Sequence, residues 1–266
     1  MYYFDIERQF ITMDEKEKAF GRILEIMDEL REKCPWDRKQ TLESLRPLTI
    51  EETYELSDAI IKKDLGLLKE ELGDILLHII FYAKIGEEQG AFDIAQVIND
   101  LCEKLIRRHP HIYGDVKVDN EDQVKQNWEK IKMTEGRKSV MGGVPESLPA
   151  LIKAWRIQDK AKQVGFEWDN IEDVWKKVEE ELKEFKEATA IANADKMEDE
   201  FGDLLFSLVN YSRFLNVDPE TALERTNQKF LKRFRYIEEV AAKQGKQMTD
   251  MTLGEMDAIW NEAKSK

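Results

Sequence analysis

The sequence predicts an all-α protein made of two tandem helical bundles, on three observations. Glycine and proline are sparse, 13 and 6 of 266 residues, while Glu, Lys, Leu, Ile and Ala dominate, a composition that favours helix. Apolar residues recur at helical spacing, as in Phe20, Ile23, Leu24, Met27 and Leu30. A set of acids then repeats in register: Glu52, Glu55, Glu71 and Asp74 lie 129 positions before Glu181, Glu184, Glu200 and Asp203. The repeat gives a first domain over 1–135, a Gly- and Pro-containing linker over 136–149, and a second domain over 150–266.

Thr12 with Glu15 reads as a capping box for a first helix over about 14–33, ended by Pro35. CPWDRKQT is a loop, and the next helix carries Glu52 and Glu55, with Thr49 and Glu52 forming another capping-box pattern. Asp64 and Gly66 mark a turn into a long helix stopped by Gly90, and Asp93 caps the helix after it. A helix from about Asn120 to Glu135 carries Trp128 and Lys132. In the second domain a helix near 149–163 leads through GFEWDN to two acid-bearing helices. Asp218 with Pro219 opens a long helix to about Gln244, and Thr252 with Glu255 caps a last one carrying Trp260. Gly73 and Gly202 repeat at the same offset inside helices, where glycine costs about 1 kcal/mol against alanine, so close backbone approach is expected at both.

A net charge of −14 argues against binding to nucleic-acid polymers or anionic membranes. Two cysteines outside any CxxC spacing give neither a disulfide framework nor a zinc signature. The first residues lack an apolar signal-peptide core, and the longest apolar run, Ile75 to Ala83, is too short to span a bilayer, so the expectation is a cytoplasmic protein.

Each acid pair is three residues apart and so projects from one helix face. Antiparallel packing of the two helices brings four carboxylates together, and their mutual repulsion calls for a cation. An all-oxygen donor set without His or Cys suits Mg²⁺, or Mn²⁺. The alternative, solvated faces of charged helices, accounts for one ExxE but not for four acids in fixed register. Lys177 and Lys196 each precede an acid of the second cluster by four residues and favour an anion beside the metal, for which a polyphosphate fits. Lys229 with Arg233, and Trp260 with Lys264, supply further basic and aromatic groups. The first domain has Leu48 and Leu67 where the second has Lys177 and Lys196, so the second is expected to hold the competent site.

CPWDRKQT, EETYELSDAI and ELGDILLHIIFYA in the first half, with VGFEW, VEEELKE, EFGDLLFSLVN, NQKFLKRF and IWNEAK in the second, resemble the MazG family of nucleoside triphosphate pyrophosphohydrolases. The likeness spans nearly the whole chain and the double-domain layout of the long members. It implies the all-α pyrophosphohydrolase fold, a homodimer, and Mg²⁺-dependent hydrolysis of nucleoside triphosphates to monophosphate and pyrophosphate. It implies Glu181, Glu184, Glu200 and Asp203 as ligands, with Lys177, Lys196, Lys229, Arg233 and Trp260 around the nucleotide. Glu180, inside the same acidic run, competes for one ligand role. Other readings are a specialist for one nucleotide, such as dUTP or a phosphoribosyl-nucleotide, and a non-catalytic nucleotide or metal sensor.

Overall fold

The computed structural model describes residues 3–135 and 139–265, and among these it contains eleven α-helices and no strand. The chain divides into two compact units, 1–117 and 118–266. No helix is long and apolar enough to cross a membrane among the described residues.

The first unit contains α1 (Tyr3–Lys33), α2 (Leu42–Lys62), α3 (Leu65–Glu88), α4 (Ile94–Arg108) and the single turn α5 (Pro110–Tyr113). The helix expected to start near residue 14 begins at Tyr3, so Thr12 lies within it rather than at its cap; no glycine or proline interrupts the segment before it. Helix α2 begins earlier than Thr49 implies. Thr41 and Ser44 form its capping box, while Thr49 sits inside the helix with its hydroxyl on Leu45 O and against the Tyr82 hydroxyl. Glu52 therefore has no capping role. Met27, Leu45, Ile80, Phe81 and Ile85 form the core where α1, α2 and α3 meet. Arg31 reaches across it, pairs with Glu88 and donates to the carbonyls of Asp37 and Gln40, which fastens the CPWDRKQ loop.

The second unit contains α6 (Glu121–Thr134), α7 (Ala150–Gln163), α8 (Ile171–Ala190), α9 (Ala194–Phe214), α10 (Pro219–Lys243) and α11 (Leu253–Ala263). Gly136, Arg137 and Lys138 of the expected linker lie outside the described residues. Helix α6 lies against α7 and groups with the second unit. Asn120 caps it, and the caps of α10 and α11 match the sequence patterns: Asp218 accepts from Thr221 N, and Thr252 and Glu255 close a capping box.

The acid-bearing helices form one tight hairpin in each unit, α2 with α3 and α8 with α9. Both turns use one device: a left-handed residue, Lys63 (φ 56°) or Ala192 (φ 53°), followed by a side-chain cap, Asp64 or Asn193. The repeat register of 129 thus extends through the turns. The expected close approach at Gly73 and Gly202 is not found among the described residues of either unit, since a Cβ at either would meet nothing within 4 Å. Both glycines sit beside exposed apolar stripes, Leu72, Leu76 and Ile79 on α3 and Phe201, Leu205 and Leu208 on α9, which repeat at the same offset.

Candidate active site

Helix α8 buries Val174, Val178, Glu181 and Ala188, so Glu181 continues an apolar stripe and is carried inward by it. Glu184, one turn on, joins Glu181 and Glu200 in a group whose ligand oxygens all lie within 4.8 Å of one another. Asp203 stands outside that set but borders the same cavity as Glu181 and Lys177. In the first unit Glu52, Glu55 and Glu71 make the equivalent group. Asp74 lies close enough to act on its charges.

These clusters carry the electrostatic cost expected of gathered carboxylates. Burial is the main cause that pushes the Glu52, Glu71 and Glu200 carboxyls above their ordinary range, and the neighbouring acids add to it. At Glu200 the Lys196 ammonium, 3.9 Å away, works in the opposite direction. One carboxylate oxygen of Glu71 is buried without a hydrogen-bond partner among the described residues. Such an oxygen, in an all-carboxylate group within a few ångströms, fits a hard divalent cation.

The lysines distinguish the two sites. Lys177 Nζ lies 2.6 Å from Glu181 and 2.8 Å from Glu180, and these contacts, the Glu180 one first, raise its pKa. Glu180 is thus the lysine's second partner and lies outside the three-carboxylate group. In the first unit Leu48 packs against the core instead. His78, where the second unit has Ser207, is buried beside Asp74, and burial lowers its pKa.

The remaining basic and aromatic residues gather on α10 and α11. Arg233 stacks over Trp260 at 5.3 Å, Phe230 flanks the same ring, and Lys264 donates to Asn261. Among the described residues, no hydrogen bond or ion pair joins Lys229, Arg233, Trp260 or Lys264 to the carboxylates of α8 and α9.

Sequence reasoning missed a second polar group beside the acids. Arg213 of α9 is almost buried, and one guanidinium nitrogen donates to both oxygens of Glu167 at 2.6 Å and to Asn210 Oδ1 at 3.0 Å. This pair anchors the GFEW turn to α9, as Arg31 anchors CPWDRKQ in the first unit. An arginine within the largely apolar stretch LLFSLVNYSRFL was the available signal.

The family model described as the MazG nucleotide pyrophosphohydrolase domain matches twice, over residues 40–113 and 170–237, the two stretches that hold the acid hairpins. The chain is 49% identical over 257 residues to the nucleoside triphosphate pyrophosphohydrolase/pyrophosphatase MazG of Thermotoga maritima, covering 95% of this chain and 98% of that one. It is 40% identical over 252 residues to the nucleoside triphosphate pyrophosphohydrolase of Escherichia coli K12, covering 91% and 96%. A crystal structure of a mazG-related protein from Thermotoga maritima aligns with a TM-score of 0.39 at 29% identity, over 42% of this chain and 98% of that one. With its family model matched in both halves and relatives matched over nearly their full length, the chain belongs to the MazG family of nucleotide pyrophosphohydrolases, a class of hydrolytic enzymes.

Proposed function

We propose that the chain hydrolyses nucleoside triphosphates, broadly with respect to base, to the monophosphate and pyrophosphate, with a divalent cation at the α8–α9 hairpin. The observation that carries this reading is Lys177 seated on Glu181, within a group of three carboxylates whose oxygens share a 4.8 Å neighbourhood. Glu181, Glu184, Glu200 and Asp203 would hold Mg²⁺ or Mn²⁺. When bound, the ion supplies positive charge against the phosphate oxygens. Lys177 and Lys196 border the cluster and balance further charge on the phosphate chain. Water attacks the α-phosphorus, the bond to the bridging oxygen breaks, pyrophosphate leaves, and a carboxylate of the cluster takes the water's proton. Lys229, Arg233, Trp260 and Lys264 form a second set of nucleotide-binding groups, and ATP is among the substrates.

A homodimer is part of the same reading. The repeated glycines and their exposed apolar stripes on α3 and α9 are suited to close packing against a second copy. Two free cysteines and an acidic surface favour a cytoplasmic setting and a role in clearing unwanted nucleotides. Phosphate release from each triphosphate, measured with and without added inorganic pyrophosphatase, tests the proposal. Orthophosphate appearing only with the helper enzyme is expected; orthophosphate without it would overturn the assigned bond cleavage.

A further inference from the structure

The acids of α8 and α9 form one edge of a cavity of about 700 Å³, a volume in the range of small-molecule sites. Glu181, Asp203 and Lys177 border it, while α7, the 165–168 turn and α9, with Met141 and Val174, supply the rest of the lining. We infer that this cavity receives the nucleoside end of the substrate, with Gln158 and Asn210 facing the base and Trp168 offering its ring; the inference rests on the proposed function.

Two fixed amides give the cavity its polar character. Gln158, 7% exposed, donates its amide nitrogen to the carbonyl of Phe206 at 2.8 Å, leaving Oε1 buried and without a partner among the described residues. Arg213 can only donate, so Asn210 faces it with Oδ1 and keeps its NH₂ for another acceptor. Between the charged edge of Lys177, Glu181 and Asp203 and the Glu167–Arg213 pair, the lining therefore presents one oriented acceptor and one oriented donor beside the apolar side chains of Ile157, Phe206 and Trp168. Each of the four common bases carries an adjacent donor and acceptor on its pairing edge, with exocyclic donor and ring acceptor in adenine and cytosine and the reverse in guanine and uracil, so an oriented pair accepts all four without holding them equally. Stacking on an aromatic face is tolerant of base identity. An unpartnered buried acceptor is costly, and a ligand N–H on Gln158 Oε1 would relieve that cost. Trp260 packs with Phe230 and Arg233 and is absent from the lining of this cavity.

The test uses the full chain. Adenosine, guanosine, cytidine and uridine monophosphates are titrated without metal by saturation-transfer NMR, against wild type, Ala161→Phe, which places a ring in the cavity, and Asn210→Ala, which removes the donor. Base protons should receive saturation in the wild type, and affinity should fall about tenfold or more in Ala161→Phe with helicity retained. In Asn210→Ala, kcat/KM should fall about tenfold, with a changed ranking of the four triphosphates. Unchanged ranking and kcat/KM in Asn210→Ala would overturn the inference, and that variant decides alone should Ala161→Phe lose its helicity. Absence of pyrophosphate release by the wild type from every triphosphate would instead overturn the proposed function.

Discussion

Lys177 Nζ rests 2.6 Å from a carboxylate oxygen of Glu181, one helical turn further along α8, and Glu181 is buried by the stripe that precedes it. The contact offsets part of the charge that Glu184 and Glu200 place beside it. The leucine at the matching position of the first unit can offset none. Lys177→Ala should therefore lower kcat/KM for triphosphates by about a hundredfold, while the first-unit variant Leu48→Met leaves it nearly unchanged. Steady-state kinetics on the two purified variants decides it.

The acid clusters are expected to differ in the same sense. Glu200→Ala should abolish turnover, whereas Glu71→Ala should retain most of it, as measured by coupled pyrophosphate release. The reverse result would move the working site to α2 and α3.

Metal dependence has a readout apart from turnover. Chelator-treated protein should show no hydrolysis until Mg²⁺ is restored. Its melting temperature should rise with added Mg²⁺, by the equivalent of about 2.7 kcal/mol at a hundredfold excess over the dissociation constant. In Glu181→Gln the rise attributable to the second unit should disappear, as followed by differential scanning calorimetry.

Gly202→Ala separates helix propensity from packing. In an isolated chain the substitution should stabilise α9 by about 1 kcal/mol, since a Cβ there meets nothing. If a second copy packs on the stripe of Phe201, Leu205 and Leu208, the added methyl should instead weaken self-association. We expect the second outcome, seen by sedimentation as a dimer dissociating at higher concentration than the wild type.

Glu255 provides a pH-dependent contribution. Its own hydrogen bond from Thr252 N, with Lys246 and the Thr252 hydroxyl, depresses its pKa to about 2. A depressed carboxyl contributes stability that is fully present above its unfolded value of 4.5 and is lost as pH falls toward 2. Glu255→Gln should therefore lower the denaturation midpoint at pH 7, and the difference from wild type should shrink below pH 4.5. Urea titrations across that range check it.

Local signals made most of the fold legible. Asp93, Asp218 and Thr252 with Glu255 each announced a helix start because a cap acts within three residues. The acid groups were legible because duplication printed them twice in one register. Thr49 misled because a cap pattern is equally satisfied inside a helix, where its hydroxyl turns back to Leu45 O. The pairing of Arg213 with Glu167 spans 46 residues, and at the repeat offset these positions are Lys84 and Arg38, so the register could not reveal it. The glycines were legible as a pattern, but their surroundings depend on what covers α3 and α9.

The lodging of α6 against α7 bears on how the two halves can be taken apart. Severing the polypeptide at the 135/136 bond would strand that helix with the wrong partner and strip α7 of its neighbour. Severing it after Lys117 would leave the acid hairpin of α8 and α9 with every helix of its own unit, and the difference in turnover between the two dissections would measure how far the working half leans on a helix drawn from the other side of the duplication.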